Sequence, residues 1–235
     1  DNIGYIRLVE FSANTPRDFS VTLDQLKKAG MDSLILDVRN NPGGLLNVAV
    51  NVAEKFIPEG ELIVSTRGRQ DSQNMEFKSR GGDKYLDIPL VVLTNEGSAS
   101  GSEIVAGALQ DYKRAVIVGQ KTFGKGSVQS ILPLDDGSAL KLTTSKYFTP
   151  SGRLIHEVGI IPDITVSSGI VEFVADDVKA ERIFENIQKK ESRPESKEGE
   201  VSQFDYKKDN QIARAIDIIR GIKVYKNMNS KNEKK

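Results

Sequence analysis

Two glycine- and serine-rich stretches put a serine and a lysine where chemistry could occur. They are Asn95-Glu96-Gly97-Ser98-Ala99-Ser100-Gly101-Ser102-Glu103-Ile104 and Gly119-Gln120-Lys121-Thr122-Phe123-Gly124-Lys125-Gly126-Ser127-Val128-Gln129. Each follows a strand-like apolar run, and open α/β sheets carry their ligands at the carboxyl ends of strands. The chain has one histidine, His156, and no cysteine. Thiol catalysis, disulfides and thiolate metal sites are therefore excluded, and few groups remain that could activate a hydroxyl.

Three chemistries compete for these stretches. Gly119-x-x-x-x-Gly124-Lys125 matches most of a phosphate-binding loop, but Gly126 stands where the magnesium-binding hydroxyl belongs. Ser127 to Leu132 also reads as extended, so no helix N-terminus would face a phosphate. A Ser-His-Asp triad through His156 is not decided by sequence order, yet Leu154-Ile155-His156-Glu157-Val158 carries no motif, and a lone histidine of this kind reads as structural. The third chemistry pairs Ser100 with Lys125 as base. A lysine takes a proton only as the neutral amine, so its ordinary pKa of about 10.4 must be lowered by desolvation or a nearby positive charge. Phe123, Val128 and the flanking glycines offer a close, poorly solvated setting for it.

The elements that must position these residues alternate. Tyr5 to Phe11 reads as a strand, and Pro16 to Ala29 as a helix with Phe19, Leu23 and Leu26 on one face. Ser33-Leu34-Ile35-Leu36-Asp37-Val38 is a continuous apolar strand of the kind buried on both faces of a parallel sheet. A helix from about Leu45 to Phe56 follows Asn40-Asn41-Pro42-Gly43-Gly44. Strands are expected at Leu62 to Thr66, Pro89 to Thr94 and Ala115 to Val118, with a helix from Ser100 to Leu109. The polar connection from Arg67 to Lys84 reads as mobile or as a hairpin excursion.

Beyond Gly126 the pattern turns to period two. Val128 to Leu134 and Ala139 to Phe148 flank the turn Asp135-Asp136-Gly137-Ser138, a hairpin added to the core. The predicted fold is α/β, with mostly parallel strands joined by helices, plus this hairpin region and C-terminal helices. Residues 1–170 form the core. Residues 171–200 read as an amphipathic helix and a charged, proline-containing linker. Residues 201–235 read as a helix from Gln211 to a glycine stop at Gly221, then a frayed polar tail from Tyr225.

Composition narrows the function classes. The 33 basic and 33 acidic residues balance, which argues against a nucleic-acid binder. A chain of 235 residues is long enough to bury a sizeable core. No apolar run approaches the roughly 20 residues that cross a bilayer, and the N-terminus lacks a signal-peptide pattern. The abrupt strand-like start at Gly4 suggests a beginning inside a larger protein, whose upstream region could carry targeting.

Four segments taken in order carry a resemblance: Leu36-Asp37-Val38-Arg39-Asn40-Asn41-Pro42-Gly43-Gly44, Asn95 to Ile104, Thr122 to Gln129, and Tyr147-Phe148-Thr149-Pro150-Ser151-Gly152. With Gly159-Ile160-Ile161-Pro162-Asp163, they resemble the carboxyl-terminal processing (tail-specific) proteases, peptidase family S41, from about residue 3 to 166. The resemblance implies a ClpP/crotonase-like core. It matches Ser100 to the nucleophile, Lys125 to the general base and Gln129 to the residue orienting that lysine. Gly44 and Gly101 match the backbone donors of the oxyanion hole. Ser98 and Ser102 are the decoys, and Ser100 is preferred over them by the family spacing.

The implied reaction is acyl transfer without metal or cofactor, acting on protein or peptide substrates with exposed, mostly apolar C-termini. Substrate would add as a strand along an edge such as the hairpin from Val128 to Phe148. An adaptor or regulator, and membrane association of the full-length protein, are further expectations of the resemblance, as is an extracytoplasmic setting, the bacterial periplasm or cell envelope. Two departures stand out: the PDZ domain that usually precedes this region is absent from the sequence, and position 101 is glycine where alanine is common. A non-catalytic ligand- or peptide-binding module on the same scaffold, as in related retinoid-binding modules, is the alternative of a different class.

Overall fold

The computed structural model describes residues 1–170 and 208–232. Its centre is a parallel sheet of β1 (Ile3–Arg7), β2 (Ser33–Asp37), β5 (Leu90–Thr94), β6 (Val116–Gly119) and β9 (Ile164–Thr165), in the order β1-β2-β5-β6-β9. Every residue of β2 and of β5 is buried, as expected for central parallel strands covered on both faces. Alternation divides their side chains between two layers. Leu34, Leu36 and Val92 enter one apolar cluster, while Ile35, Val91 and Leu93 enter another.

The first cluster is closed by α1 (Thr15–Lys28), α2 (Leu46–Ala53) and α3 (Gly101–Asp111). Helix α1 starts with proline in its first turn and ends with Lys27 and Lys28, which oppose the negative end of its dipole. The second cluster is closed by α4 (Asn210–Asn232), whose Ile212, Ala215 and Ile219 pack on the far face of the sheet. This helix corrects the expected stop at Gly221 and the frayed tail, because it continues to Asn232. An interior glycine costs only about 1 kcal/mol relative to alanine, and beyond it Lys223 pairs with Asp32 and Lys226 Nζ donates to the Asp87 carbonyl at 3.0 Å, contacts that favour continuing the helix. The predicted helix and linker at 171–200 lie outside the described residues.

An antiparallel sheet of β3 (Leu62–Gly68), β4 (Met75–Lys78), β7 (Ser127–Pro133) and β8 (Ala139–Phe148) stands beside the core, in the order β4-β3-β8-β7. It absorbs the predicted hairpin as β7 and β8, and β4 turns part of the Arg67 to Lys84 connection into a second hairpin with β3. Strand β7 is an edge. No described helix is long and apolar enough to cross a membrane. The connections after β2, β5 and β6 emerge from one end of the parallel sheet, and they hold the residues singled out above.

Candidate active site

The connection after β5 ends in a strained turn at Ser100, which adopts φ +54° and caps the N-terminus of α3. Positive φ is uncommon for a residue with a side chain and persists where its surroundings enforce it. Ser100 is half-buried. Its neighbours have other tasks. Buried Ser98 donates its hydroxyl to the Val38 carbonyl at 2.8 Å and accepts the Asn95 N–H at 3.0 Å. Buried Ser102 donates to the Asn41 carbonyl at 2.9 Å. Among the described residues, the Ser100 hydroxyl donates to no acceptor, so it is the one serine of the three whose hydroxyl proton is not committed to the fold.

One turn into α3, the fully buried Glu103 joins this corner to the lysine loop. Its Oε2 accepts the N–H of Ser100 at 2.9 Å and of Lys125 at 2.8 Å. Its Oε1 accepts the Thr122 hydroxyl at 2.5 Å and the Gly124 N–H at 2.6 Å. Thr122 Oγ1 in turn accepts the Ile160 N–H at 2.7 Å, and Phe123 N–H reaches the Ser98 carbonyl at 3.0 Å. Four donors around one carboxylate make it an acceptor in full use. The loop backbone therefore turns inward, and the side chains of Phe123 and Lys125 turn outward into solvent. The dry setting expected around the Lys125 amine is not formed in this structure. Among the described residues the Lys125 ammonium has no hydrogen-bond partner, Ser100 included.

The connection after β2 supplies the glycine pair. Buried Asn41 donates to the Leu8 carbonyl at 2.9 Å and accepts the Gly43 N–H at 2.9 Å, while its own carbonyl accepts the Ala99 N–H at 2.9 Å. Gly43 lies so close to the serine turn that an added Cβ would stand 2.6 Å from Ser100 Cβ and 2.8 Å from Gly101 N. Gly44, at φ +149°, is pressed against the Phe11 carbonyl, which no side chain at this position would allow. Among the described residues, the N–H groups of Gly44 and Gly101 have no acceptor. The second belongs to the first turn of α3, where orphan N–H groups and the helix dipole favour negative charge.

Two further residues tie these connections together. Asn40, at φ +56°, donates its N–H to Asn95 Oδ1 at 2.8 Å, and Asn95 Nδ2 returns a bond to Asn40 Oδ1 at 2.8 Å. Asn95 Oδ1 also accepts the Gly97 N–H at 3.1 Å. Asparagine tolerates the left-handed conformation better than most residues, which suits Asn40 to both tasks.

Gln129 sits exposed on β7, at a bulge between Val128 and Gln129, and the structure does not bring its amide onto Lys125. His156 packs behind the lysine loop, where its backbone meets Gly126, and its Nε2 stands 3.7 Å from Glu157 Oε1. It makes no bond to Ser100, so the triad through His156 is not assembled. Glu103, Asn40, Asn41 and Asn95 were not assigned roles from sequence. A signal for Glu103 was present, because Ser100-x-x-Glu103 is a capping-box pattern before an apolar run. Nothing in the spacing of Asn40 and Asn95 announces their pairing, which follows from the neighbouring parallel strands β2 and β5.

A sequence profile of peptidase family S41 matches residues 2–166. The carboxy-terminal-processing protease of Bartonella bacilliformis is 49% identical over 175 residues, covering 73% of this chain and 40% of that protein. The carboxyl-terminal-processing protease of Synechocystis sp. is 48% identical over 172 residues, again covering 73% of this chain and 40% of the relative. The chain thus spans about two fifths of the length of these relatives. Among solved structures, a photosystem II D1 C-terminal processing protease superposes with a TM-score of 0.66 at 38% identity, over 70% of this chain and 42% of that one. The match over residues 2–166, which includes the serine turn, the lysine loop and the glycine pair, shows that this chain belongs to peptidase family S41.

Proposed function

We propose that this chain is the catalytic core of a serine endopeptidase in which a Ser100–Lys125 dyad hydrolyses peptide bonds near the C-termini of protein substrates. Neutral Lys125 Nζ takes the Ser100 proton as Oγ attacks the scissile carbonyl carbon. The carbonyl oxygen becomes an oxyanion held by the Gly44 and Gly101 N–H groups. Collapse of the tetrahedral adduct breaks the C–N bond, and the leaving amine takes the proton back from Lys125. Water, deprotonated in its turn by Lys125, then releases the acyl group from Ser100. In this reading Gln129 orients the lysine once the Lys125 side chain has turned in toward Ser100.

The observation that carries this reading is the serine turn: of Ser98, Ser100 and Ser102, only Ser100 keeps its hydroxyl proton uncommitted, beside two N–H groups that lack an acceptor. Glu103 holds the backbones of Ser100 and Lys125 together, so bringing Nζ to Oγ is a motion of the long, flexible lysine side chain. The related proteins named for carboxyl-terminal processing support substrates with exposed C-termini. An extended substrate would add along edge strand β7. An adaptor or regulator, membrane association and an extracytoplasmic setting fit the same reading, and the reaction needs no metal or cofactor.

Cleavage of an unstructured peptide with a free C-terminus tests the dyad. Wild type cuts it, whereas Ser100→Ala and Lys125→Ala lose about a thousandfold or more in kcat. Variants that cut at the wild-type rate would show that the dyad is wrong. Tight, turnover-free binding by all three proteins would instead favour a binding module on the same scaffold.

A further inference from the structure

The start of α4 reaches across the end of the parallel sheet into the connection that carries the glycine pair. Arg39, only 11% exposed at its side chain, is held on one side by Asp37 at the end of β2, through Nε to Oδ1 at 3.0 Å and Nη2 to Oδ2 at 2.6 Å. Asp37 Oδ1 also accepts the Arg39 N–H at 3.0 Å, and Asp37 Oδ2 accepts the Tyr5 hydroxyl at 2.8 Å. On its other side, Arg39 Nη1 donates to Asp209 Oδ2 at 2.8 Å and to Gln211 Oε1 at 2.7 Å. Burial alone would pull the guanidinium pKa down, but Asp37 and Asp209 more than offset it and leave the group above its ordinary range.

Asp209 uses its two oxygens for different purposes. Oδ1 caps α4 by accepting the N–H groups of Gln211 at 2.9 Å and Ile212 at 3.1 Å, while Oδ2 takes Arg39. Buried Gln211 is itself fixed by donating Nε2 to the Val166 carbonyl at 2.7 Å. The next residue after Arg39 is Asn40, in its left-handed turn against Asn95. Asn41 follows, and its carbonyl holds Ala99 N–H and the Ser102 hydroxyl. A shift of Arg39 is therefore passed within two residues to the Gly43–Gly44 turn and to the residue preceding Ser100.

We infer that Asp209 and Gln211 are positioning residues for the hydrolytic site: by gripping Arg39, the capped start of α4 holds the Asn40–Gly44 connection where the Gly44 N–H can meet an oxyanion. This rests on the reading of Ser100 and Gly44 given above. Both residues lie beyond the family-matched stretch 2–166, so the strut is a feature of this chain's C-terminal region. A merely structural role would be shared by any residue that fastens α4 to the sheet, and Ile219, fully buried at the other end of that contact, provides the comparison.

The test uses the 235-residue chain with Asp209→Asn combined with Gln211→Ala, and separately Ile219→Ala. Asparagine preserves the helix cap while discarding the charge. Well below the melting temperatures, the double variant is expected to lose about tenfold or more in kcat with KM within about twofold, as misplacement of a catalytic group does. Amide exchange over residues 39–45 is expected to quicken in the double variant and not in Ile219→Ala, which keeps its kcat. A kcat within twofold of wild type, unchanged exchange over residues 39–45, or an equal loss in Ile219→Ala overturns the inference. If wild type shows no Ser100-dependent cleavage, the hydrolytic reading fails, and exchange alone decides whether α4 holds this connection.

Discussion

Ser100 and Lys125 donate their backbone N–H groups to the same atom, Glu103 Oε2, at 2.9 and 2.8 Å. The serine turn and the lysine loop, contributed by different strand ends, are thereby one hydrogen-bonded unit. Removing the carboxylate leaves buried donors without an acceptor, so Glu103→Ala is expected to cost about 3 kcal/mol or more. Glu103→Gln keeps the volume but turns an N–H₂ toward donors, and it should lose much of the same stability. Denaturant melts of both variants, read beside peptide cleavage, check this. Melts within about 0.5 kcal/mol of wild type would show that Glu103 is not the joint.

The three neighbouring serines should separate cleanly by phenotype. Ser98→Ala strips the Val38 carbonyl of one of its two donors and the Asn95 N–H of its acceptor, and Ser102→Ala strips the Asn41 carbonyl of one of its two. Each is expected to lose about 1–3 kcal/mol of stability while keeping most of its turnover. Ser100→Ala should show the reverse, losing no more stability than a missing N-cap, about 1 kcal/mol, while turnover falls about a thousandfold or more. Thermal unfolding and steady-state kinetics on the three variants distinguish these patterns.

The Asn40–Asn95 pair is suited to a double-mutant cycle. Asn40→Gly removes the amide without straining the left-handed backbone, and Asn95→Ala removes the partner. Because the two side chains share the bond from Asn95 Nδ2 to Asn40 Oδ1, their stability effects should be non-additive by about 0.5–3 kcal/mol. Additive losses would mean that the connections after β2 and β5 are held together by other contacts.

A base that works only as the neutral amine cannot be replaced by a group that keeps its proton. Lys125→Arg retains a long cationic side chain, yet a guanidinium does not give up its proton in proteins. It should be as inactive as Lys125→Ala in peptide cleavage. Turnover by Lys125→Arg near the wild-type rate would exclude a lysine base.

The parallel core was legible because β2 and β5 are continuous apolar runs and α1 and α3 are amphipathic, signals that belong to single elements. The end of α4 is not legible because Gly221 is a stop signal locally, whereas the contacts beyond it, Lys223 with Asp32 and Lys226 with the Asp87 carbonyl, join residues far apart in sequence. The choice of Ser100 over Ser98 and Ser102 rested on family spacing. Its physical reason, that the other two hydroxyls are committed to carbonyls of the β2 connection, exists only once β2 and β5 are paired. The Arg39 to Asp209 contact spans 170 residues, and no local pattern encodes a bond of that range. The outward pose of Lys125 was likewise unreadable, since it follows from Glu103 drawing the loop backbone inward.

The most direct measurement is to trap the covalent intermediate. Wild type mixed with an activated peptide ester, quenched in acid within the first turnovers and digested, should carry an acyl group on Ser100 by mass spectrometry. Ser100→Ala should carry none. Product formation with no adduct on Ser100, or with the acyl group on Ser98, Ser102 or another side chain, would contradict Ser100 as the nucleophile.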